Sequence, residues 1–256
     1  MTGLTVLLPP SETKREGGDR TRTLDLGALS FPELADERAA VITAARSVSS
    51  EESSARTALK LGPKSIGERL RNLELETSPT MPAIERYTGV LYDPLRVEGA
   101  DEATRRWWSA HVVVQSAMFG PIGAGDRIPA YRLSHDSRLG GLRLAKHWPS
   151  AASGALGARS DGLVLDLRSE GYRALGPVPD AVALRVVSID DGGRRRALNH
   201  WNKTAKGRLV ALLGRTSADI ADMDELVAWA RSHDVIVERT ADGWDLVAES
   251  VEAVRD

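Results

Sequence analysis

The sequence predicts an α/β protein of mixed α+β type, a single compact domain with a mixed central sheet flanked by helices. Three observations predict it. Short apolar runs that read as strands alternate with longer segments of helical composition and spacing. The chain holds no fixed-period repeat, no low-complexity segment and no linker long enough to mark a boundary. Residues 1–256 therefore read as one domain, although ~150 residues per domain would allow two. Finally, 42% hydrophobic and 27% charged residues are enough for a full core without staples, and the chain has no Cys to provide any.

Residues 4–8 read as a buried strand stopped by Pro9 and Pro10, and residues 11–18 as a polar loop at its carboxyl end, where α/β proteins often hold ligands. Ser30-Phe-Pro-Glu33 reads as a capping box for a helix running to Val48, and Ser49-Ser-Glu-Glu52 as a second, for a helix ending near Gly62-Pro63. Ile66, Leu70 and Leu73 keep helical spacing beyond that break. Pro79, Pro82, Gly89 and Pro94 predict turns and short elements. A helix over 101–110 leads into a central strand over 111–115, whereas the Gly- and Pro-rich stretch 119–126 reads as a loop. Further strands are expected over 129–133, 162–167 and 184–189, the last paired with 194–199 through Asp190-Asp-Gly-Gly193. Helices over 202–213 and 222–232 and a hairpin of 235–239 with 244–248 complete the chain.

The net charge is −2, which excludes a globally basic nucleic-acid coat protein. It conceals a balance of −8 from Ser217 onward and +6 before it. Three basic clusters stand out. The first, with Arg56, Lys60, Lys64, Arg69 and Arg71, surrounds Leu61-Gly-Pro-Lys-Ser65. It is either a helix-hairpin-helix, whose turn offers backbone N–H groups to a DNA phosphate, or a hairpin of helices with solvated faces. The second, Arg127, Arg132, Arg138, Arg143 and Lys146, either lines a phosphate-binding cleft or protects an exposed edge strand. The third, Arg194, Arg195, Arg196, Lys203, Lys206 and Arg208, contains no acid in sequence and adds Trp201 as a stacking face, or is a solvated strand end.

Catalytic signatures are scarce. There is no Walker A, no dinucleotide glycine fingerprint, no nucleophile elbow and no His-x-x-x-His pair. The five histidines are scattered and read as surface or packed residues; Asp126, Asp166 and Glu170 read as acid–base or metal-binding groups or, more commonly for such carboxylates, as turn caps. No metal site and no cofactor is expected. No stretch approaches the ~18 apolar residues of a membrane span, and the first ten residues are too short for a signal peptide, so a cytoplasmic monomer is expected.

Five segments carry a resemblance. They are Pro10-Ser-Glu-Thr-Lys14; Tyr87-Thr-Gly-Val-Leu-Tyr92; Ser116-Ala-Met-Phe-Gly120 with residues 126–133; Leu167-Arg-Ser-Glu-Gly-Tyr172; and Asn202-Lys-Thr-Ala-Lys-Gly-Arg208. In this order they resemble the YaaA family of peroxide stress proteins, in an actinobacterial-type branch whose 9–14 and 119–126 segments depart from the usual family pattern. The resemblance implies a basic cleft, a helix-hairpin-helix element at about 50–75, DNA binding, and a cytoplasmic role in limiting peroxide damage linked to lower free iron.

Two functions follow. The first is sequence-independent DNA binding through phosphate contacts from Lys60, Gly62, Lys64, Ser65, Arg127, Arg132, Lys203, Lys206 and Arg208. The alternative is an enzyme for a small phosphorylated or nucleotide-like substrate. It would use Lys14, Tyr87, Glu170 and Lys203 in acid–base roles, with Ser11, Thr88, Tyr131, Ser169 and Tyr172 as polar cleft residues. A lysine desolvated beside arginines can act as base or nucleophile.

Overall fold

The computed structural model describes residues 3–159, 162–189, 194–197, 202–241 and 243–253. Its strands are β1 (Thr5–Leu8), β2 (Met81–Pro82), β3 (Val112–Ser116), β4 (Gly120–Gly123), β5 (Arg127–Ile128), β6 (Val164–Asp166), β7 (Val182–Ile189), β8 (Arg195–Ala197), β9 (Val237–Thr240) and β10 (Gly243–Val247). The helices are α1 (Ala35–Ser50), α2 (Glu52–Ala58), α3 (Leu70–Leu73), α4 (Ala83–Arg86), α5 (Glu102–His111), α6 (Leu144–Arg159), α7 (Glu170–Arg173), α8 (Asn202–Arg215), α9 (Met223–Ser232) and α10 (Ala248–Ala253).

Eight strands form one mixed sheet in the order β4-β3-β1-β6-β7-β10-β9, with β8 paired to β7. The pairs β1–β3, β1–β6, β6–β7 and β7–β10 are parallel, while β4, β8 and β9 are antiparallel to their neighbours. The predicted mixed α/β domain is therefore observed. Alternation places successive side chains on opposite faces. Leu7, Val113 and Val164 pack with Leu34 and Leu156, whereas Val6, Leu8, Val114 and Leu165 face the larger core with Trp108 and Leu209. β1 lies at the centre, and the chain runs from it to β3 on one side and to β6 on the other. That reversal leaves a crevice beyond the carboxyl end of β1.

Several local expectations are corrected. Residues 119–126 contain β4 between two turns: Gly120 leaves the 117–119 turn with φ +66°, and packing also demands glycine, since a Cβ on Gly120 would lie 2.6 Å from the Trp148 ring and one on Gly123 2.7 Å from Ser30 Oγ. Residues 129–133 are not a strand; only Arg127–Ile128 pairs, with Met81–Pro82. Neither capping box forms. Ser30 is held by Asp126, its N–H at 2.8 Å and its hydroxyl at 2.9 Å from the two carboxylate oxygens, and Ser49 is buried in the last turn of α1, where it accepts from Asn72 at 3.0 Å. The hairpin over Asp190-Asp-Gly-Gly193 pairs as expected at Ile189 with Arg195, while its turn lies outside the described residues, as do His200 and Trp201. No helix among the described residues is long and apolar enough to cross a membrane.

Candidate functional site

Pro9 and Pro10 cannot extend the β1 ladder, and the chain leaves the sheet as the loop 9–14. Two contacts lay residues 87–92 beside this loop. Lys14 forms an isolated antiparallel bridge with Tyr87, and the buried Tyr92 hydroxyl donates to the Pro9 carbonyl at 2.7 Å. α8 closes the other side, since a Cβ on Gly207 would lie 2.1 Å from the Leu91 carbonyl oxygen. Between these walls lies a cleft of about 460 Å³, within the ~300–1,000 Å³ range of small-molecule sites. Of the residues singled out in the sequence, Ser11, Ser169, Tyr172 and Lys203 line it, together with Val90 and His135.

Beneath the cleft lies a second group of expected residues. Lys14 is only 7% exposed. Its amine donates to the Ser11 carbonyl at 2.9 Å and the Glu12 carbonyl at 3.3 Å, and it stands 4.1 Å from the centre of the Tyr131 ring. Burial, then the guanidinium groups of Arg132 and Arg71, lower its pKa to about 7, against the opposing pull of Glu68 and Glu12. The Tyr131 hydroxyl is 2.9 Å from that of Tyr87 and 2.8 Å from Ser116 Oγ, which accepts from the N–H groups of Met118 and Phe119 at 3.0 and 3.1 Å. Burial raises the pKa of both tyrosines. It also raises that of Tyr172 to about 12, opposed by hydrogen bonds to Ser134 and the His135 backbone. Lys206 donates to the Leu167 carbonyl at 3.2 Å, and burial with neighbouring Arg173 lowers its pKa to about 8.

The remaining expected residues fall elsewhere. Thr88 stands behind Tyr87, its carbonyl accepting from Thr13 Oγ1 at 3.1 Å. Glu170 is exposed in the first turn of α7, and Arg208 is half-buried further along α8; neither lines the cleft. Arg127 opens onto a separate hollow with Asp126, where it meets the Thr80 carbonyl at 2.8 Å and Asp19 at 3.5 Å. Arg127 of the second basic cluster therefore lies apart from the cleft, whereas Arg132 of the same cluster contacts Glu12 in its lining.

Much of the basic clusters' charge is also engaged. Arg132 contacts Glu12 at 3.3 Å and Glu68 at 3.4 Å; Lys60 pairs with Asp136, Arg71 with Glu16, and Arg195 with Glu238 and Asp245. The 61–65 turn is held from inside: the Gly62 N–H donates to Ser65 Oγ at 3.0 Å and the Ser65 N–H to the Gly62 carbonyl at 3.1 Å. Lys64 beside them is exposed.

Ser134, His135 and Ser116 were missed as site residues. His135 has no metal-pair spacing in sequence; the available signals were that Ser134 and His135 directly follow Leu133, at the end of one resembling segment, and that Ser116 opens another. Asp126 accepts from the Gly123 N–H at 2.9 Å and Asp166 meets the buried Arg168 at 2.7 Å; neither lines the cleft. Among the described residues no group of three His, Asp or Glu side chains is placed to hold a metal ion.

Fold and site together place the chain among mixed α/β proteins whose polar cleft opens at the carboxyl ends of the central strands. A family profile described as peroxide stress protein YaaA matches residues 4–233. The chain belongs to this family. A UPF0246 protein of Corynebacterium efficiens is 39% identical over 238 residues, covering 91% of this chain and 94% of the relative. One of Streptomyces coelicolor is 38% identical over 251 residues, covering 94% and 96%. A Lactobacillus delbrueckii UPF0246 protein is 29% identical over 154 residues, covering 57% and 62%.

Proposed function

We propose that this protein serves peroxide defence in the cytoplasm as a monomeric enzyme for a small phosphorylated ligand bound in the cleft beyond β1. The observation that carries this reading is the Lys14 amine, buried beneath the cleft with a pKa lowered to about 7. A group half-protonated near neutrality exchanges a proton at little cost in either direction, which suits a general base or an amine nucleophile. The Ser11 and Glu12 carbonyls accept both hydrogens of a neutral amine and fix its position. Lys203 at the cleft lining supplies positive charge for a phosphate.

The test follows the lysine side-chain nitrogens by NMR while inorganic phosphate or a sugar phosphate is added. The expected result is a Lys14 amine that titrates near neutral pH and responds to the ligand, with binding weakened by Lys203→Ala. A Lys14 amine that titrates near 10 and ignores every phosphate compound would sink the reading.

DNA binding through phosphate contacts is the second reading, favoured by the exposed Lys64 on a turn whose neighbour Lys60 is tied to Asp136, next to the cleft residue His135. It asks less of the internally bonded turn amides than of side-chain charge. An effect on free iron would then be indirect, through the nucleic acid or metabolite bound.

A further inference from the structure

The geometry points to a single nucleotide, one planar base with one phosphate, as the ligand of this cleft. The inference rests on the reading of the cleft as a small-ligand site and names its ligand class. Four observations support it.

The first is shape. One lip is apolar and built from Pro9, Pro10 and Val90, the last 49% exposed although its neighbours Leu91 and Tyr92 are buried. His135 lines the same cleft, half-buried, with its ring 4.9 Å from that of Tyr172 in an edge-to-face arrangement. Apolar side chains and an aromatic ring lining one cleft suit the face of a base better than a sugar, which needs hydroxyl partners all round.

The second is charge. Of the cations around the cleft, Arg132 is engaged by Glu12 and Glu68 and Lys60 by Asp136, whereas Lys203 is exposed and makes no ion pair among the described residues. As the one Lys or Arg among the described residues that line the cleft, Lys203 matches one phosphate rather than a di- or triphosphate.

The third is an uncommitted hydroxyl. Ser169 occupies the position before α7 where Ser normally caps the helix, yet its side chain makes no capping bond; it is exposed and lines the cleft. It is free to serve a ligand oxygen. The fourth is place: the crevice where strand order reverses is where open α/β sheets bind nucleotides.

A nucleotide of this kind comes free in solution or as an unpaired residue of a DNA strand, and the test separates the two sources. Calorimetric titrations would compare deoxynucleoside monophosphates, deoxyribose 5-phosphate, a fully paired duplex and a duplex with one unpaired nucleotide. They would use the unaltered protein, Val90→Asp and Lys203→Ala. Both substitutions replace exposed side chains, and circular dichroism confirms folding. The expected result is monophosphate binding at least about tenfold tighter than deoxyribose phosphate, weakened about tenfold by each substitution. A preference for the unpaired duplex, abolished by added monophosphate, assigns the strand as the source; equal binding of the two duplexes assigns the free nucleotide.

Equal affinity for deoxyribose phosphate and monophosphate would overturn the base slot while leaving the small-anion reading intact. Duplex binding that monophosphate cannot displace, with no monophosphate binding of its own, would also overturn it. Failure of every phosphate compound would remove both.

Discussion

The Lys14 ammonium is under opposing pressures. Burial and the charges of Arg132 and Arg71 favour the neutral amine, while Glu68 and Glu12 favour the cation, as does the Tyr131 ring face 4.1 Å away. Substituting Arg132→Gln removes one lowering charge, so Lys14 should titrate at higher pH, which side-chain nitrogen NMR would read directly. Stability follows with a definite sign. The folded pKa, about 7, lies below the unfolded 10.5, so the unfolded chain binds more protons in between, and the penalty of burying Lys14 grows as pH falls from 10.5 to 7. Lys14→Met should therefore gain stability over the unaltered protein at pH 7, of the order of a few kcal/mol, and lose that advantage by pH 10.5. Thermal melts of both proteins across that range would show it; a constant difference would contradict it. Lys14 and Tyr87 were legible in sequence as residues of one resembling pattern. Their burial was not, because neither Lys nor Tyr announces whether its polar end reaches water.

At the scale of elements, α8 decides the width of the cleft. It carries Lys203 at its start and meets Leu91 at Gly207, where there is no room for a side chain. Replacing Gly207 by Ala would raise helix propensity by up to ~1 kcal/mol. The added carbon would meet a backbone carbonyl, which cannot rotate away, so overpacking of about 1–3 kcal/mol should prevail. Denaturant titration should show a net loss of stability, and ligand binding should weaken as α8 moves from the 89–92 wall. Helix and strand signals that rest on periodicity or a local cap were legible: α5 begins at Asp101, which accepts from the Thr104 N–H at 2.8 Å, and α9 begins after Asp222 in the same way. Those that depend on a distant partner were not. Ser30 has the sequence of a helix cap, yet Asp126, ninety-six positions away, binds it more completely through two hydrogen bonds.

For the whole molecule, the decisive quantity is where charge is left over. The −8 section after Ser217 and the +6 body are not separate poles, since Glu238 and Asp245 on the β9–β10 hairpin pair with Arg195, and Asp245 also meets Arg185 at 2.8 Å. If DNA is a partner, only the uncompensated cations release counterions on binding. The salt dependence of duplex affinity should then be shallow, a slope of about −1 to −3 on logarithmic axes, well short of the value for fifteen or more basic residues. Fluorescence anisotropy at two salt concentrations measures it, and a slope near −10 would show that the ion pairs open on DNA.

By itself the sequence determined the fold class, the central β1 strand, most helices and the family, because alternation, caps and short motifs act between residues close along the chain. Only the tertiary structure decided which charges remain available, that Lys14 lies desolvated beneath a cleft, and that His135 and Val90 face that cleft. Those properties come from groups brought together across the sheet's parallel crossovers, where neighbours in space are far apart in sequence and burial, not residue type, sets the chemistry.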